Sequence, residues 1–342
     1  MQLTAKIKLE PSEEHLSLIR NTLKEYMDSV NDLVEYAYGQ GGMPRMSSAS
    51  FKANLPSALR GQVCFDARSV YNKCCNTGLY HRLKKPIAIW NNQSYKIFND
   101  RIEFPVIVRG KCTRISVPAL TPKDLFEKLK ASKLGTLRLT YKGHKLIAQI
   151  AYEVVIPLSS GTGTIGVDLG VKCPAVAVAD NGKVTFVGNG RQIKQKHRLF
   201  QVKRKRIEKA KKMKALRKFR DKEQRWMRDI DHKTSRAIIN FAITNNAKTI
   251  KLEKLSGIRA TTRTSRKNNR SLSNWSFYRL SQYIEYKAKM AGIEVVYVNP
   301  AYTSQRCPVC GEINHAKDRH YVCKCGYRGH RDFVGARNIL VA

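Results

Sequence analysis

Three acidic residues stand where a carboxylate can do chemistry: Asp168 in Ile165-Gly166-Val167-Asp168-Leu169-Gly170, Glu253 in Ile250-Lys251-Leu252-Glu253-Lys254-Leu255, and Asp332 in His330-Arg331-Asp332. The first two close apolar, strand-like runs, and the third opens a helix-like one. Carboxylates hold hard divalent cations through oxygen, and two such cations about 4 Å apart can clamp the attacking and leaving oxygens of a phosphodiester. Converging acids of this kind would support metal-dependent cleavage of a nucleic-acid backbone. Taken singly, two of them have plainer readings. An aspartate before glycine is a common turn residue, and a glutamate among lysines is commonly a solvated ion pair. Asp180, in Asp180-Asn181-Gly182, is read as a turn residue with no chemical role.

Four cysteines precede the third acid. Cys307-Pro308-Val309-Cys310-Gly311 and Cys323-Lys324-Cys325-Gly326 form two knuckles, each followed by glycine, as a tetrahedral zinc ribbon requires. The second knuckle is one residue shorter than the usual Cys-x-x-Cys. Four thiolates leave no open position on zinc, so this site is expected to be structural, with His315, His320 and His330 as weaker competing ligands. The other five cysteines, Cys64, Cys74, Cys75, Cys112 and Cys173, lack ligand spacing and are expected to be buried small apolar residues.

The chain has 342 residues, 64 Lys and Arg against 26 Asp and Glu, and a formal net charge of +38. Such an excess repels itself unless a polyanion neutralises it, which makes nucleic acid the expected partner class. Charge alone leaves the activity open, because a non-catalytic RNA binder would show the same balance. No run approaches the roughly 18 apolar residues of a membrane span, and the N-terminus lacks a signal-peptide core. A soluble, intracellular protein without membrane contact is the expectation.

The elements that must position these residues fall into two halves. Residues 2–9 alternate like a strand, and Pro11-Ser12 open a helix with Leu16, Ile19, Leu23, Met27 and Val30 on one face. A loop at 39–58 and a second helix at 65–83 follow. Short strands are expected at 87–90, 95–98, 101–108, 114–117, 136–141 and 146–155, with turns at Asn99-Asp100 and Lys142-Gly143. With the first strand these could close a small barrel, which would leave the helices as an insertion.

The linker Ser159-Ser160-Gly161-Thr162-Gly163 marks a boundary. A hairpin-like unit (164–169, 175–179, 184–187) then leads into basic helices over 192–245, a strand at 249–252, a basic loop at 259–270, a helix at 273–291 and a strand at 294–298. Cations crowd 191–236 with few acids between them, and Lys203, Arg204, Lys205, Arg206, Lys211, Lys212 and Arg217 are the candidate phosphate contacts. Trp226, Trp275, Phe277 and Tyr278 could stack on bases, although core packing is the commoner fate of such residues. The order of elements, with a strand-end Asp, a strand-end Glu and a helical Asp, resembles the RNase H-like α/β fold, in which such carboxylates converge on two metal ions.

In order, the motifs Gly166-Val167-Asp168-Leu169-Gly170, Leu252-Glu253-Lys254-Leu255, Thr303-Ser304-Gln305-Arg306-Cys307-Pro308-Val309-Cys310-Gly311, Cys323-Lys324-Cys325-Gly326 and His330-Arg331-Asp332-Phe333-Val334-Gly335-Ala336-Arg337-Asn338-Ile339 resemble the TnpB family of insertion-sequence proteins, relatives of type V CRISPR effectors. The motifs cover the C-terminal half; the N-terminal half agrees in architecture only. The resemblance implies an RNA-guided DNA endonuclease encoded by a transposable element, cytoplasmic and nucleoid-associated in a prokaryote. Its split RuvC domain would comprise 159–299 and 327–342, with a zinc ribbon inserted at 300–326. A wedge/OB-like β-barrel (1–11 and 84–158) would carry a helical recognition insertion (12–83). It further implies Asp168, Glu253 and Asp332 as catalytic ligands of two Mg²⁺ or Mn²⁺ ions, and one Zn²⁺ on Cys307, Cys310, Cys323 and Cys325. The implied partners are a guide RNA derived from the transposon end, a target double-stranded DNA beside a short adjacent motif, and its displaced strand, with the protein acting as a monomer. Competing readings are a guided repressor that does not cut, a transposase or recombinase that rejoins strands, and an RNA-binding protein with a structural ribbon. Loss of a carboxylate would mark the first, and this chain keeps all three.

Overall fold

The computed structural model describes residues 1–157, 159, 161–255, 275–316 and 318–342. The basic 256–274 region, including the loop expected at 259–270, lies outside them. The chain divides into two compact units, Met1–Val155 and Ile156–Ala342. No helix among the described residues is long and apolar enough to cross a membrane.

In the first unit, strands β1 (Gln2–Leu9), β2 (Ile87–Trp90), β3 (Lys96–Ile97), β4 (Arg101–Val108), β5 (Lys111–Leu120), β6 (Leu134–Lys142) and β7 (Lys145–Glu153) form one antiparallel sheet in the order β2-β6-β7-β1-β5-β4-β3. Its two edges do not pair with each other among the described residues, yet the sheet is strongly curled. Trp90 on β2 donates its indole N–H to the Pro105 carbonyl of β4 at 3.1 Å and packs on Phe104, with ring centroids 5.0 Å apart. Helices α1 (Glu13–Gly39) and α2 (Ser57–Thr77) enter between β1 and β2 and share one core with the sheet. Ser12 caps α1 by accepting from the His15 N–H, with Glu13 and Glu14 favourably placed in the first turn. The buried stripe of α1 runs through Ile19, Leu23, Tyr26, Val30 and Val34, whereas Leu16 and Met27 are only half-buried. A short helix, α3 (Lys123–Lys130), stands where no helix is expected from the pattern.

The second unit is built on a five-stranded sheet of β8 (Gly163–Asp168), β9 (Ala175–Ala179), β10 (Val184–Val187), β11 (Ala247–Glu253) and β12 (Glu294–Val298), ordered β10-β9-β8-β11-β12. The strands β8, β9 and β10 form an antiparallel meander, while β8, β11 and β12 run parallel. Parallel neighbours need crossover connections. The first is the basic region, which breaks into α4 (Gly190–Lys209), α5 (Met213–Phe219) and α6 (Lys222–Thr244), and the second contains α7 (Phe277–Met290).

Strand alternation decides which face each residue serves. Ile165 and Val167 of β8, Ala175, Ala177 and Ala179 of β9, and Ile250 and Leu252 of β11 join α6 and α7 in one core. Val176 and Val178 point the other way, to Ala336, Phe333 and Leu340 of the last helix, α8 (Arg331–Val341). By the same period of two, Gly166, Asp168, Lys251 and Glu253 belong to the α8 face. Between β12 and α8 the chain forms a small ribbon, β13 (His320–Val322) paired antiparallel with β14 (Arg328–His330).

Candidate active site and metal centre

Asp168 is the last residue of β8 and Glu253 the last of β11. The parallel register pairs Gly166 with Lys251 and Val167 with Leu252, so the two acids emerge one step further on, side by side on the α8 face. Asp332 lies in the first turn of α8, the position where the helix dipole favours a negative charge. This helix can lie directly on β8 because glycines line the contact: a Cβ on Gly335 of α8 would meet Asp168 Oδ2 at 3.1 Å. The residue before the helix, His330, caps it by accepting the Asp332 N–H on Nδ1 at 3.3 Å, and its ring meets Phe186 of β10 edge-on at 5.3 Å.

Cations balance the site only in part. Asp168 retains some solvent access, yet atoms crowd its carboxyl, and that desolvation pushes its pKa up to about 8. The charges of Glu253 and Asp332 add to the effect, and Arg319 and Arg331 oppose it. Burial also raises Glu253, partly offset by the Thr303 hydroxyl, which donates to Glu253 Oε1. Asp332 is buried; its Oδ1 is held by the Arg319 guanidinium, and its Oδ2 has no hydrogen-bonding partner. Glu253 and Asp332 are near enough to act electrostatically on Asp168, and Asp332 keeps an orphaned buried oxygen, but among the described residues the three carboxylates do not gather as tightly as the ribbon sulfurs do. Asp180 plays the structural part expected of it, accepting the Thr164 N–H at 2.7 Å.

Three contributors were not singled out in the sequence. Arg319, one cation among many there, reaches Asp332 from the ribbon. Thr303, which donates to Glu253, and Asn338, which donates to the Thr303 carbonyl, occur inside motifs, but nothing in their type marks these roles. Near the ribbon, Lys172 pairs with Asp318, and Arg331 Nη2 donates to Ser304 Oγ at 3.3 Å.

The four ribbon cysteines come together, their sulfurs all within 4.8 Å of one another. Cys307 and Cys325 are 3.7 Å apart and Cys310 and Cys323 3.4 Å, close to the roughly 3.8 Å between sulfurs on a tetrahedral zinc with Zn–S bonds of about 2.3 Å. The shorter second knuckle is thus no obstacle to the geometry. His315, His320 and His330 are not members of the cluster. Of the remaining cysteines only Cys74 is buried; Cys64 and Cys173 are intermediate, and Cys75 and Cys112 are exposed, contrary to expectation. Average burial of a residue type does not decide its place on a particular helix or strand, and both exposed thiols lie on outward positions of α2 and β5.

The basic helices separate the candidate phosphate contacts into two kinds. Lys203, Lys205, Arg206, Lys211, Lys212 and Arg217 are exposed. Arg204 is instead engaged: its guanidinium holds Glu223 at 2.6 Å, and Glu223 also binds His197 Nδ1 at 2.6 Å. Trp226 packs on Phe200 and His197, and Phe277 is buried, whereas Tyr278 is 64% exposed.

Two family models match the chain. Residues 148–259 match the one described as "Probable transposase" and residues 277–339 the "Cas12f1-like, TNB domain"; the three acids and the four cysteines fall within these spans. A CRISPR-associated endodeoxyribonuclease Cas12f1 from Syntrophomonas palmitatica is 28% identical over 265 residues, covering 70% of this chain and 51% of that protein. The TnpB-like protein MJ0751 of Methanocaldococcus jannaschii is 36% identical over 158 residues, covering 44% of this chain and 56% of its own length. The chain thus spans about half the length of these curated relatives. The cryo-EM structure of a Cas12f1-sgRNA-target DNA complex superposes with a TM-score of 0.71 at 16% identity, covering 96% of this chain and 83% of that one, so the fold is shared. The two model matches, the TnpB-like relative and the shared Cas12f1 fold make the chain similar to TnpB-like and Cas12f proteins.

Proposed function

We propose that this chain is an RNA-guided, divalent-metal-dependent DNA endonuclease whose active site is Asp168, Glu253 and Asp332. The observation that carries the reading is the convergence of these acids at the β8 and β11 ends and the start of α8, with Asp168 pushed up to about 8 and Asp332 Oδ2 unpartnered. Residues 159–299 and 327–342 are then a split RuvC domain of RNase H-like topology, a reading supported by the strand order β10-β9-β8-β11-β12. Residues 300–326 are its zinc ribbon. Residues 1–11 and 84–158 act as a wedge/OB-like barrel carrying the helical insertion 12–83; the curl of the seven-stranded sheet supports this assignment.

The three carboxylates would hold two Mg²⁺ or Mn²⁺ ions, which when bound supply Lewis-acid charge to the attacking and leaving oxygens of a phosphodiester. The protein's own part is to hold the acids so that no reorganisation is needed. Strand pairing sets the spacing of Asp168 and Glu253, and the helix N-terminus fixes Asp332. Arg319, already paired with Asp332, would supply positive charge within the same site. One zinc on Cys307, Cys310, Cys323 and Cys325 would hold the ribbon that delivers Arg319.

A guide RNA from the transposon end would lie on the exposed cations of α4 and α5. Base pairing then supplies sequence information, and the protein needs mainly backbone contacts, which suits a net charge of +38. The test is to sequence the RNA that copurifies and to offer a matching double-stranded DNA. Cleavage is expected with Mg²⁺ or Mn²⁺ and not without, falling at least about 10³-fold in Asp168→Asn. Binding without cleavage in the parent protein would identify a guided repressor, and rejoined products would identify a recombinase.

A further inference from the structure

We infer that Thr303 and Asn338 are positioning residues that fix the carboxylate of Glu253 for metal binding and couple it to the helix bearing Asp332. Thr303 is buried, follows β12, and donates its hydroxyl to Glu253 Oε1 while lying 3.1 Å from the Pro300 carbonyl. Asn338 is buried on α8 and spends its two amide hydrogens on the carbonyls of Thr303 and Arg306, both at 2.7 Å. The path from Glu253 through Thr303 and Asn338 to α8 is therefore a chain of direct hydrogen bonds, ending on the helix whose first turn holds Asp332.

Physical chemistry assigns the parts. A glutamate at a strand end has three side-chain torsions, and its partner acids repel it. Left free, it would rotate towards solvent. A single donor on Oε1 removes that freedom and leaves Oε2 for a cation. Because Thr303 sits on an irregular segment, its own position needs a support, and Asn338 provides one from a regular helix. Outer partners of this kind orient ligands, and their loss commonly costs about 10–100-fold in metal affinity or activity. Lys251 Nζ, bonded to the Leu340 carbonyl at 3.0 Å, ties the same strand to the same helix at a second point, so a shift of α8 would be felt at both acids.

The inference rests on Glu253 being a metal ligand, and the experiment separates the two claims. Mn²⁺ binding to the full chain with its copurified RNA is measured by electron paramagnetic resonance, beside DNA cleavage and its Mn²⁺ half-saturation, for the parent, Glu253→Gln, Thr303→Val, Thr303→Ser and Asn338→Leu. Thr303→Val is expected to weaken Mn²⁺ binding about 10–100-fold and to raise the Mn²⁺ requirement of cleavage. Thr303→Ser, which keeps the hydroxyl, should stay within about threefold of the parent. Zinc content and DNA binding should be unchanged in both. Asn338→Leu, with the Thr303 hydroxyl still present, should show a smaller shift in the same direction. If Glu253→Gln abolishes cleavage while Thr303→Val binds Mn²⁺ like the parent, the positioning role falls and the active site stands. Equal loss in the valine and serine variants would also overturn it, because a hydroxyl would then not be what matters. Parent-like Mn²⁺ binding and cleavage by Glu253→Gln would remove the active-site reading itself.

Discussion

A Cβ on Gly166 would stand 2.3 Å from the carbonyl oxygen of Ala336, so strand β8 and helix α8 meet backbone to backbone. The same methyl group would lie 2.4 Å from the Leu340 N–H nitrogen. Neither neighbour is the flexible end of a side chain, and the only relief is to lift the helix. Gly166→Ala is therefore expected to destabilise the second unit by about 1–3 kcal/mol and to displace Asp332 from Asp168. Thermal denaturation and metal-dependent cleavage should fall together. Gly335→Ala, whose Cβ meets Asp168 Oδ2 at 3.1 Å, should cost less stability and still reduce cleavage by crowding that carboxylate.

The cysteine cluster predicts one zinc per chain. Cys307→Ser or Cys325→Ser should lower zinc content in elemental analysis and increase proteolysis around the ribbon, because binding free energy at such a site is folding free energy. Arg319 is carried on that ribbon, so cleavage should decline before guided DNA binding does. Full zinc occupancy in both variants would contradict the assignment.

Lys287 makes stability depend on pH. Its ammonium donates to the His232 carbonyl at 2.7 Å and Ser235 Oγ at 2.6 Å between α6 and α7, and burial, helped by Arg236, pulls its pKa down from 10.5 to about 8. For a base with a depressed folded-state pKa, the unfolded chain holds more protons between those two values, so this group's penalty on folding applies in full below about pH 8 and lifts as pH rises towards 10.5. Denaturant unfolding of the parent and of Lys287→Met at pH 7 and pH 9.5 should show the difference moving in the parent's favour at the higher pH. A difference independent of pH would refute the linkage.

Charge reversal of roles is expected along the basic helices. Lys205→Gln or Lys211→Gln should weaken RNA binding and flatten its salt dependence by up to about 0.7–0.9 in log–log slope per lost phosphate contact, with stability unchanged. Arg204→Gln should instead loosen the packing of α4 on α6, because Glu223 loses its guanidinium partner and, among the described residues, keeps His197. Filter binding across a salt series, beside thermal denaturation, distinguishes the two.

Much of this was legible in the chain itself. Alternation in Ile165-Gly166-Val167-Asp168 and Ile250-Lys251-Leu252-Glu253 already assigns one residue set to a core and the other to an opposite face, since side chains in a strand point alternately. The ribbon was legible for a similar reason: knuckle spacing is a local constraint of tetrahedral thiolate geometry. Even the inert role of Asp180 followed from a turn of three residues.

Other features required the whole fold. Periodicity states that Asp168 and Glu253 each end a strand, but their proximity depends on parallel pairing of β8 with β11 across three intervening helices, a non-local choice made by the common core. Arg204 and Lys205 are neighbours in one basic run, and only the packing of α4 on α6 engages the first and exposes the second. Thr303, Asn338 and Arg319 acquire their partners through contacts distant in sequence, with directions set by where loops cross a helix. Residue types and local spacing determined which groups could do chemistry; hydrogen-bond distances of about 3 Å between remote segments were decided by tertiary packing, because a local pattern constrains orientation and leaves long-range position free.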